Sequence, residues 1–241
     1  MLLGFISDVH ANLPALEAVL DDVDGQQLDA LICLGDLVGY GASPNEVIDL
    51  VSDKADVSLA GNHDLAAVGS FDLSLFNLHA RASAEWTSKE LTSANVSLLS
   101  SLRSQREVFG LSVAHASIKD PVSEYVSNPQ VAAENFAIAD FDIAVVGHTH
   151  VPAVFALMGQ FVTGERIPHG RTDLTGQRSI VNPGSVGQPR DGEPRASWAT
   201  FDSSTSIFEV RRVEYDVRRA QEAIIRAGLP KFLATRLEEG M

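Results

Sequence analysis

The sequence contains a single cysteine, Cys33, set in the apolar stretch Ala30 to Leu34. One thiol excludes an internal disulfide framework and a thiolate zinc site, and its plain reading is a small buried hydrophobe. No apolar run approaches the ~18 residues that a membrane span needs. The opening stretch Met1 to Ile6 is apolar but has no basic residues before it, and Asp8 and His10 interrupt it too early for a secretory signal, so the chain is expected in the cytoplasm. Basic residues are scarce as well: 18 Lys and Arg face 32 Asp and Glu, a formal net charge of -14 spread along the chain. Such a surface repels phosphate backbones and anionic lipid, which argues against general nucleic-acid binding and against a membrane-surface role. A cleft holding divalent cations would still be locally positive.

The 241 residues are 45% hydrophobic, enough to bury one full core, and a single domain over residues 1–241 is expected. Leu2 to Ser7, Ala30 to Leu34 and Val57 to Ala60 read as buried strands. Between them, Leu13, Leu16 and Leu20 recur at helical spacing behind Asn12 and Pro14. Ser43-Pro44-Asn45-Glu46 reads as a capping box opening a helix with Val47, Ile48 and Val51 on its apolar face. This β-α-β-α-β order implies a parallel sheet with right-handed crossovers.

Leu78 to Arg103 lacks proline and glycine and reads as two helices parted near Ser93 to Asn95. Strands follow at Val108 to Ala114, Ile143 to Val146, Val151 to Leu157 and Ser179 to Val181, then a hairpin from Ser197 to Val213. A helical segment, 217–237, is broken at Gly228-Leu229-Pro230. Antiparallel strands after a parallel half imply an α/β fold of two packed mixed β-sheets flanked by helices.

Five places put metal-capable side chains directly after an apolar strand: Asp8 and His10, Asp36, Asn62 and His63, His115, and His148 with His150. In open α/β sheets the loops at the carboxyl ends of strands are where ligands bind, so neighbouring loops could deliver all of these groups to one point. Alone, an aspartate after a strand is more often a turn residue and a histidine a surface or satisfied core group. The distribution argues otherwise, because five of the seven histidines stand at strand ends and only His79 and His169 fall elsewhere.

Asp8-Val9-His10, Gly35-Asp36-Leu37-Val38-Gly39, Gly61-Asn62-His63-Asp64, the lone His115 and Gly147-His148-Thr149-His150 together resemble the ordered signature of the calcineurin-like metallophosphoesterases. The resemblance runs from residue 6 to about residue 190. Val181-Asn182-Pro183-Gly184-Ser185-Val186-Gly187 with Arg190 is similar to the small bacterial phosphodiesterase branch rather than to the large protein phosphatases. Ala116 departs from the pattern, since many relatives carry glycine after the histidine.

The resemblance implies a four-layer α/β/β/α sandwich with one metal held by Asp8, His10, Asp36 and His150 and a second held by Asp36, Asn62, His115 and His148. Oxygen and imidazole donors without thiolate suit manganese foremost, with iron, zinc, cobalt or nickel as alternatives, and the two oxygens of Asp36 suit it to bridge. Two such ions about 3.5–4 Å apart would bind phosphoryl oxygens and turn a water into a hydroxide nucleophile. By the same resemblance His63 protonates the leaving oxygen, Asp64 orients its imidazole, and Asn62 and His63 face the substrate.

The implied activity is hydrolysis of a small phosphodiester or phosphomonoester. Two alternatives are weaker. Other dinuclear hydrolases would show a His-x-His-x-Asp-His cluster or a carboxylated lysine, and no lysine stands in the five motifs. A non-catalytic metal-binding module of the same fold would lack a ligand or the acid, and none is missing. The partner implied is a small phosphorylated substrate, and an oligomer is compatible with the sequence. Specificity is expected from Gly39 to Ser43, Gly69 to Asn77 and Ser117 to Asn128. Arg190 and Arg195 have either surface or substrate-facing readings, Tyr125 reads first as aromatic packing and second as pocket lining, and Asn182 to Ser185 reads first as a plain turn.

Overall fold

Period-two alternation along short apolar strands decides which layer each side chain joins. The computed structural model describes residues 1–241. Its strands are β1 (Leu2–Ile6), β2 (Ala30–Cys33), β3 (Val57–Ser58), β4 (Gln105–Val108), β5 (Leu111–Ala114), β6 (Ile143–Val146), β7 (Ala153–Met158), β8 (Phe161–Arg166), β9 (Gly170–Asp173), β10 (Arg178–Asn182), β11 (Ala196–Asp202) and β12 (Ile207–Val213). Its α-helices are α1 (Leu13–Asp24), α2 (Pro44–Lys54), α3 (Asn62–Ala67), α4 (Leu78–Glu90), α5 (Ser93–Ser101), α6 (Pro129–Ile138), α7 (Val217–Arg226) and α8 (Lys231–Thr235), with 3-10 turns at Leu73–Leu75 and Arg236–Glu238. No helix is long and apolar enough to cross a membrane.

The first sheet has the order β3-β2-β1-β11-β12-β9 and the second β4-β5-β6-β10-β7-β8. The β1, β2 and β3 strands are parallel, as their helical crossovers require, and β11 then pairs antiparallel with β1. In the second sheet β5, β6 and β10 are parallel and the outer pairings antiparallel.

Inward side chains of both sheets, among them Phe5, Ile32, Val113, Val145 and Phe208, form the central core. Full burial of each such residue stabilises the fold by about 1.5–3 kcal/mol. Their outward neighbours serve the outer layers. Ile6, Leu31 and Cys33 pack with Leu16, Val47 and Leu99 of three helices, while Ala144 and Val146 pack with Phe136 of α6. The result is helix, sheet, sheet, helix.

Several boundaries differ from the sequence reading. Val108 to Ala114 is no single strand, because Phe109 and Gly110 take positive φ (51° and 78°) and fold it into the β4–β5 hairpin. Strands β8 and β9 carry mostly exposed side chains and so show no apolar alternation. The short helix α3 and helix α6 were also not expected, though Asn128-Pro129 signals the start of α6: the Asn128 side chain accepts from the amides of Gln130 and Val131.

The expected capping box at Ser43 is absent. Its side chain makes no cap bond, and its carbonyl accepts from Val47. The helical break falls at Leu91-Thr92, where the Thr92 hydroxyl caps α5 by accepting from Asn95.

Candidate metal centre

Five loops at the carboxyl edge of the two sheets carry the sequence-indicated side chains to one place. Asp8 and His10 follow β1, Asp36 follows β2, Asn62 and His63 open α3 beyond β3, His115 follows β5, and His148 and His150 follow β6. All eight side chains are buried. Asp8, His10, Asp36, His148 and His150 have φ between 51° and 63°, and with Ala11 and Tyr40 they make up seven of the nine non-glycine residues with positive φ. Each such backbone costs on the order of 1 kcal/mol, so strain is concentrated at this site.

The carboxylates divide their oxygens. Asp8 Oδ2 accepts from the Ser7 hydroxyl at 2.7 Å and the His148 amide at 3.0 Å, and Asp36 Oδ1 accepts from the His63 amide at 2.8 Å. Asp8 Oδ1 and Asp36 Oδ2 are buried with no hydrogen-bond partner. The imidazoles are divided in the same way. His10 Nδ1 donates to the Val38 carbonyl (3.0 Å), His115 Nδ1 to Leu34 (3.0 Å), His150 Nδ1 to Gln188 (2.6 Å) and His148 Nε2 to Ser123 (3.3 Å).

With those protons directed outward, every inward nitrogen presents a lone pair. His10 Nε2 lies 3.1 Å from His150 Nε2 and 3.6 Å from Asp36 Oδ2. His150 Nε2 lies 3.3 Å from Asp8 Oδ1. On the other side, His115 Nε2 lies 3.5 Å from Asp36 Oδ2, 3.2 Å from His148 Nδ1 and 3.3 Å from Asn62 Oδ1. Acceptors facing acceptors in a buried pocket suit a cation. The donors form two groups, Asp8–His10–Asp36–His150 and Asp36–His115–His148, each able to hold a metal ion. Asp36 belongs to both: its Oδ2 lies near His10 and His115, while its Oδ1 accepts from the His63 amide.

Burial holds the His10, His63 and His148 imidazoles well below their ordinary range, lowers His115, and brings His150 to about 4, which favours the neutral imidazole at each. Burial, with Asp64 and Asp8 nearby, pushes Asp36 well above the usual carboxylate range. Asp64 is raised to about 6 by burial, against the opposing hydrogen bonds of the Gly61 and Val38 amides. The thiol of Cys33, likewise buried, is pushed up to about 12.

His63 stands beside this cluster with its ring centroid 4.9 Å from His10, 4.4 Å from Tyr40 and 4.6 Å from Phe76, and its buried Nδ1 has no partner. Gly39, at φ 89°, makes room for it, since a Cβ there would lie 2.5 Å from Nδ1. Asp64 does not touch the imidazole. Its oxygens accept from the Val38 amide at 3.0 Å and the Gly61 amide at 2.9 Å, tying the β2 loop to the start of α3, so the expected orienting bond to His63 is replaced by a backbone clamp.

Tyr125 is half exposed and stacks on His148 at 4.0 Å. It borders a cavity of about 610 Å³ lined also by Thr149, Phe155 and Arg166. Arg195 is paired with Glu193, whereas Arg190 faces Tyr40. The segment Asn182 to Ser185 braces the site: Asn182 Nδ2 donates to the Gly147 carbonyl and the Ser185 hydroxyl to the Asp8 carbonyl. Sequence reasoning did not identify the anchoring carbonyls of Val38, Leu34, Ser123 and Gln188, nor Phe76. A carbonyl carries no side-chain signal, and Phe76 lies in a segment marked only as a specificity loop.

Comparison with known proteins places this geometry in context. A family model described as the Calcineurin-like phosphoesterase superfamily domain matches residues 1–206. An uncharacterised protein of Methanocaldococcus jannaschii is 38% identical over 98% of this chain and 97% of its own length. Phosphodiesterase YfcE of Escherichia coli is 26% identical over 84% of this chain and 88% of its own. A crystal structure of a metallophosphoesterase from Sphaerobacter thermophilus shares 40% identity, covers 100% of both chains and superposes with a TM-score of 0.90. The fold, the ordered motifs and these relatives agree, and the chain belongs to the calcineurin-like phosphoesterase superfamily.

Proposed function

We propose that this protein is a dinuclear metal-dependent phosphoesterase that hydrolyses a small soluble phosphodiester, with manganese as its preferred metal. The single observation that carries the reading is the convergence of inward lone pairs and two unpartnered carboxylate oxygens into two groups that share Asp36. The preference for diesters is supported by the similarity to the Escherichia coli phosphodiesterase.

Asp8, His10, Asp36 and His150 would hold one ion, and Asp36, Asn62, His115 and His148 the other. When bound, two dications draw in the phosphoryl oxygens and acidify water to a nucleophile. His63 supplies an imidazole beside the cluster to protonate the leaving oxygen, a role worth typically about 10²–10⁴-fold. Tyr40 and Phe76 hold its ring, and the Asp64 clamp fixes the helix end from which it projects. Asn62 and His63 face the scissile group from that same helix end.

The test is elemental analysis of the purified protein combined with hydrolysis of bis-p-nitrophenyl phosphate and p-nitrophenyl phosphate after manganese loading, for wild type and Asp36→Asn. The expected result is two ions per chain, faster release from the diester, and loss of both metal and turnover in the variant. Bound metal with neither ester cleaved would replace this reading by a metal-binding module.

A further inference from the structure

Two guanidiniums converge on one tyrosine at the rim of the metal cluster. Arg190 follows β10 and Arg236 opens the 3-10 turn after α8, and their guanidinium carbons stand 5.8 and 6.0 Å from the Tyr40 ring centroid. That ring is itself 4.7 Å from His10 and 4.4 Å from His63. The Arg190 amide also donates to the His150 carbonyl. Both cations therefore border the side of the cluster where His10, His63 and His150 stand.

Their hydrogen bonding is incomplete. Arg190 reaches the Gln188 side-chain oxygen through Nη2 at 2.9 Å and Nε at 3.3 Å, and reaches the Tyr40 hydroxyl at 3.4 Å. Arg236 donates Nε to the Met241 main-chain oxygen. Neither enters an ion pair with an acidic side chain, and the acids nearest Arg190 in sequence are engaged elsewhere, Asp191 with Arg212 and Glu193 with Arg195. In a chain with 32 acidic residues against 18 basic ones, two neighbouring guanidiniums with no aspartate or glutamate partner stand out.

The arrangement is also held in place. Leu233, Ala234 and Leu237 pack with Ile224, Leu229 and Tyr40 in one apolar cluster, which fixes the turn bearing Arg236 against the site. Burial and the field of Arg190 lower Arg236 to about 10, so the pair is held together against its own repulsion. Planar guanidinium forks held in this way suit phosphate oxygens.

We infer that Arg190 and Arg236 form a second anion subsite, which takes a further phosphate of the substrate while the scissile phosphate lies at the metal cluster. The inference rests on the phosphoesterase reading and narrows its substrate class to small molecules bearing at least two phosphates.

The test has two arms. In the first, inorganic tripolyphosphate is titrated calorimetrically into chelator-treated, metal-free protein at fixed ionic strength. Arg190→Gln and Arg236→Gln are expected to weaken binding about tenfold each, Arg236→Lys by less, and the ion-paired Arg195→Gln not at all. Equal weakening in Arg195→Gln, or no weakening in the first two, overturns the subsite.

In the second arm, manganese-loaded protein hydrolyses thymidine 3′-(p-nitrophenyl phosphate) with and without a 5′-phosphate, so that the leaving group is constant. The wild type is expected to favour the doubly phosphorylated ester, and the ratio of the two kcat/KM values to fall about tenfold in Arg236→Gln. A wild type that cleaves both esters equally overturns the subsite and leaves the phosphoesterase reading standing. A wild type that binds tripolyphosphate through these arginines but cleaves nothing supports the subsite and overturns the hydrolase reading.

Discussion

His10 and His150 turn their Nε2 atoms toward each other at 3.1 Å, while each ring sends its Nδ1 proton to a carbonyl, Val38 for one and Gln188 for the other. Two lone pairs at that distance repel unless a positive charge lies between or beside them. Asp8 Oδ1, 3.3 Å from His150 Nε2, adds a third acceptor. A divalent cation is therefore expected to stabilise the folded state, which presents the donors together, over the unfolded one, which does not. At a hundredfold excess over Kd the stabilisation is about 2.7 kcal/mol. For a chain of this size that corresponds to a rise of roughly 5–10 °C in Tm. Differential scanning fluorimetry in chelator and then in manganese checks it, and an unchanged Tm would remove the cation from this site.

His63 is expected to separate metal binding from turnover. Its side chain is in neither donor group, and its amide, not its ring, contacts Asp36. His63→Ala should retain wild-type metal content while losing about 10²–10⁴-fold in kcat, most on esters with poor leaving groups. Turnover at the wild-type level in fully loaded variant would assign the ring a packing role between Tyr40 and Phe76.

Gly61 tests how tightly Asp36 is held. A Cβ at this position would lie 2.0 Å from Asp36 Oδ1 and 2.6 Å from the Asp36 amide, so the clash involves backbone that cannot rotate away. Gly61→Ala should destabilise the protein by about 1–3 kcal/mol and lower its metal content. Thermal melting and elemental analysis together report it; a variant with normal metal loading would show that the loop yields more than this geometry allows.

A pH effect on stability is expected far from the cluster. The Asp22 carboxylate accepts from Arg211 Nε at 3.0 Å and Trp198 Nε1 at 2.9 Å, and these bonds, the Arg211 one foremost, hold its pKa below the ordinary value despite partial burial. A carboxyl with a lowered folded-state pKa contributes stability that is complete above its unfolded value of about 3.9 and is lost as pH falls through the folded one. Asp22→Asn should therefore cost on the order of 1 kcal/mol at pH 7, with the gap to wild type closing below pH 4. Melting curves from pH 3 to 7 measure it, and a gap that persisted at pH 3 would trace the cost to shape rather than charge.

The candidate donors were legible because each is local to a strand end: a largely apolar run of four to six residues followed within two positions by Asp8, Asp36, His115 or His148 is visible without knowing what lies beside it. Atom roles were not legible. That Asp36 gives Oδ1 to the His63 amide and Oδ2 to the cluster depends on a backbone turn at φ 52°, which no side chain announces. The same holds for Asp64, whose proximity in sequence suggested His63 but whose oxygens found the Val38 and Gly61 amides. In the fold, β1 and β6 were found by apolar content, while β8 and β9, largely exposed on their side chains, offered no pattern to read. Arg236 had no local signal at all, since its meaning arises from packing of the last helices against Tyr40.

The donors come from both sheets: Asp8, His10, Asp36 and Asn62 from the first, His115, His148 and His150 from the second. His10 and His150 are separated by 140 positions, a span whose ends are costly to join until most of the chain is ordered. The cluster is thus expected to assemble late in folding, when the sheets dock, so that a metal ion would recognise the finished product rather than a partly formed one. Its kinetic effect should fall on unfolding, which it slows, and hardly on the rate at which the chain first finds its shape.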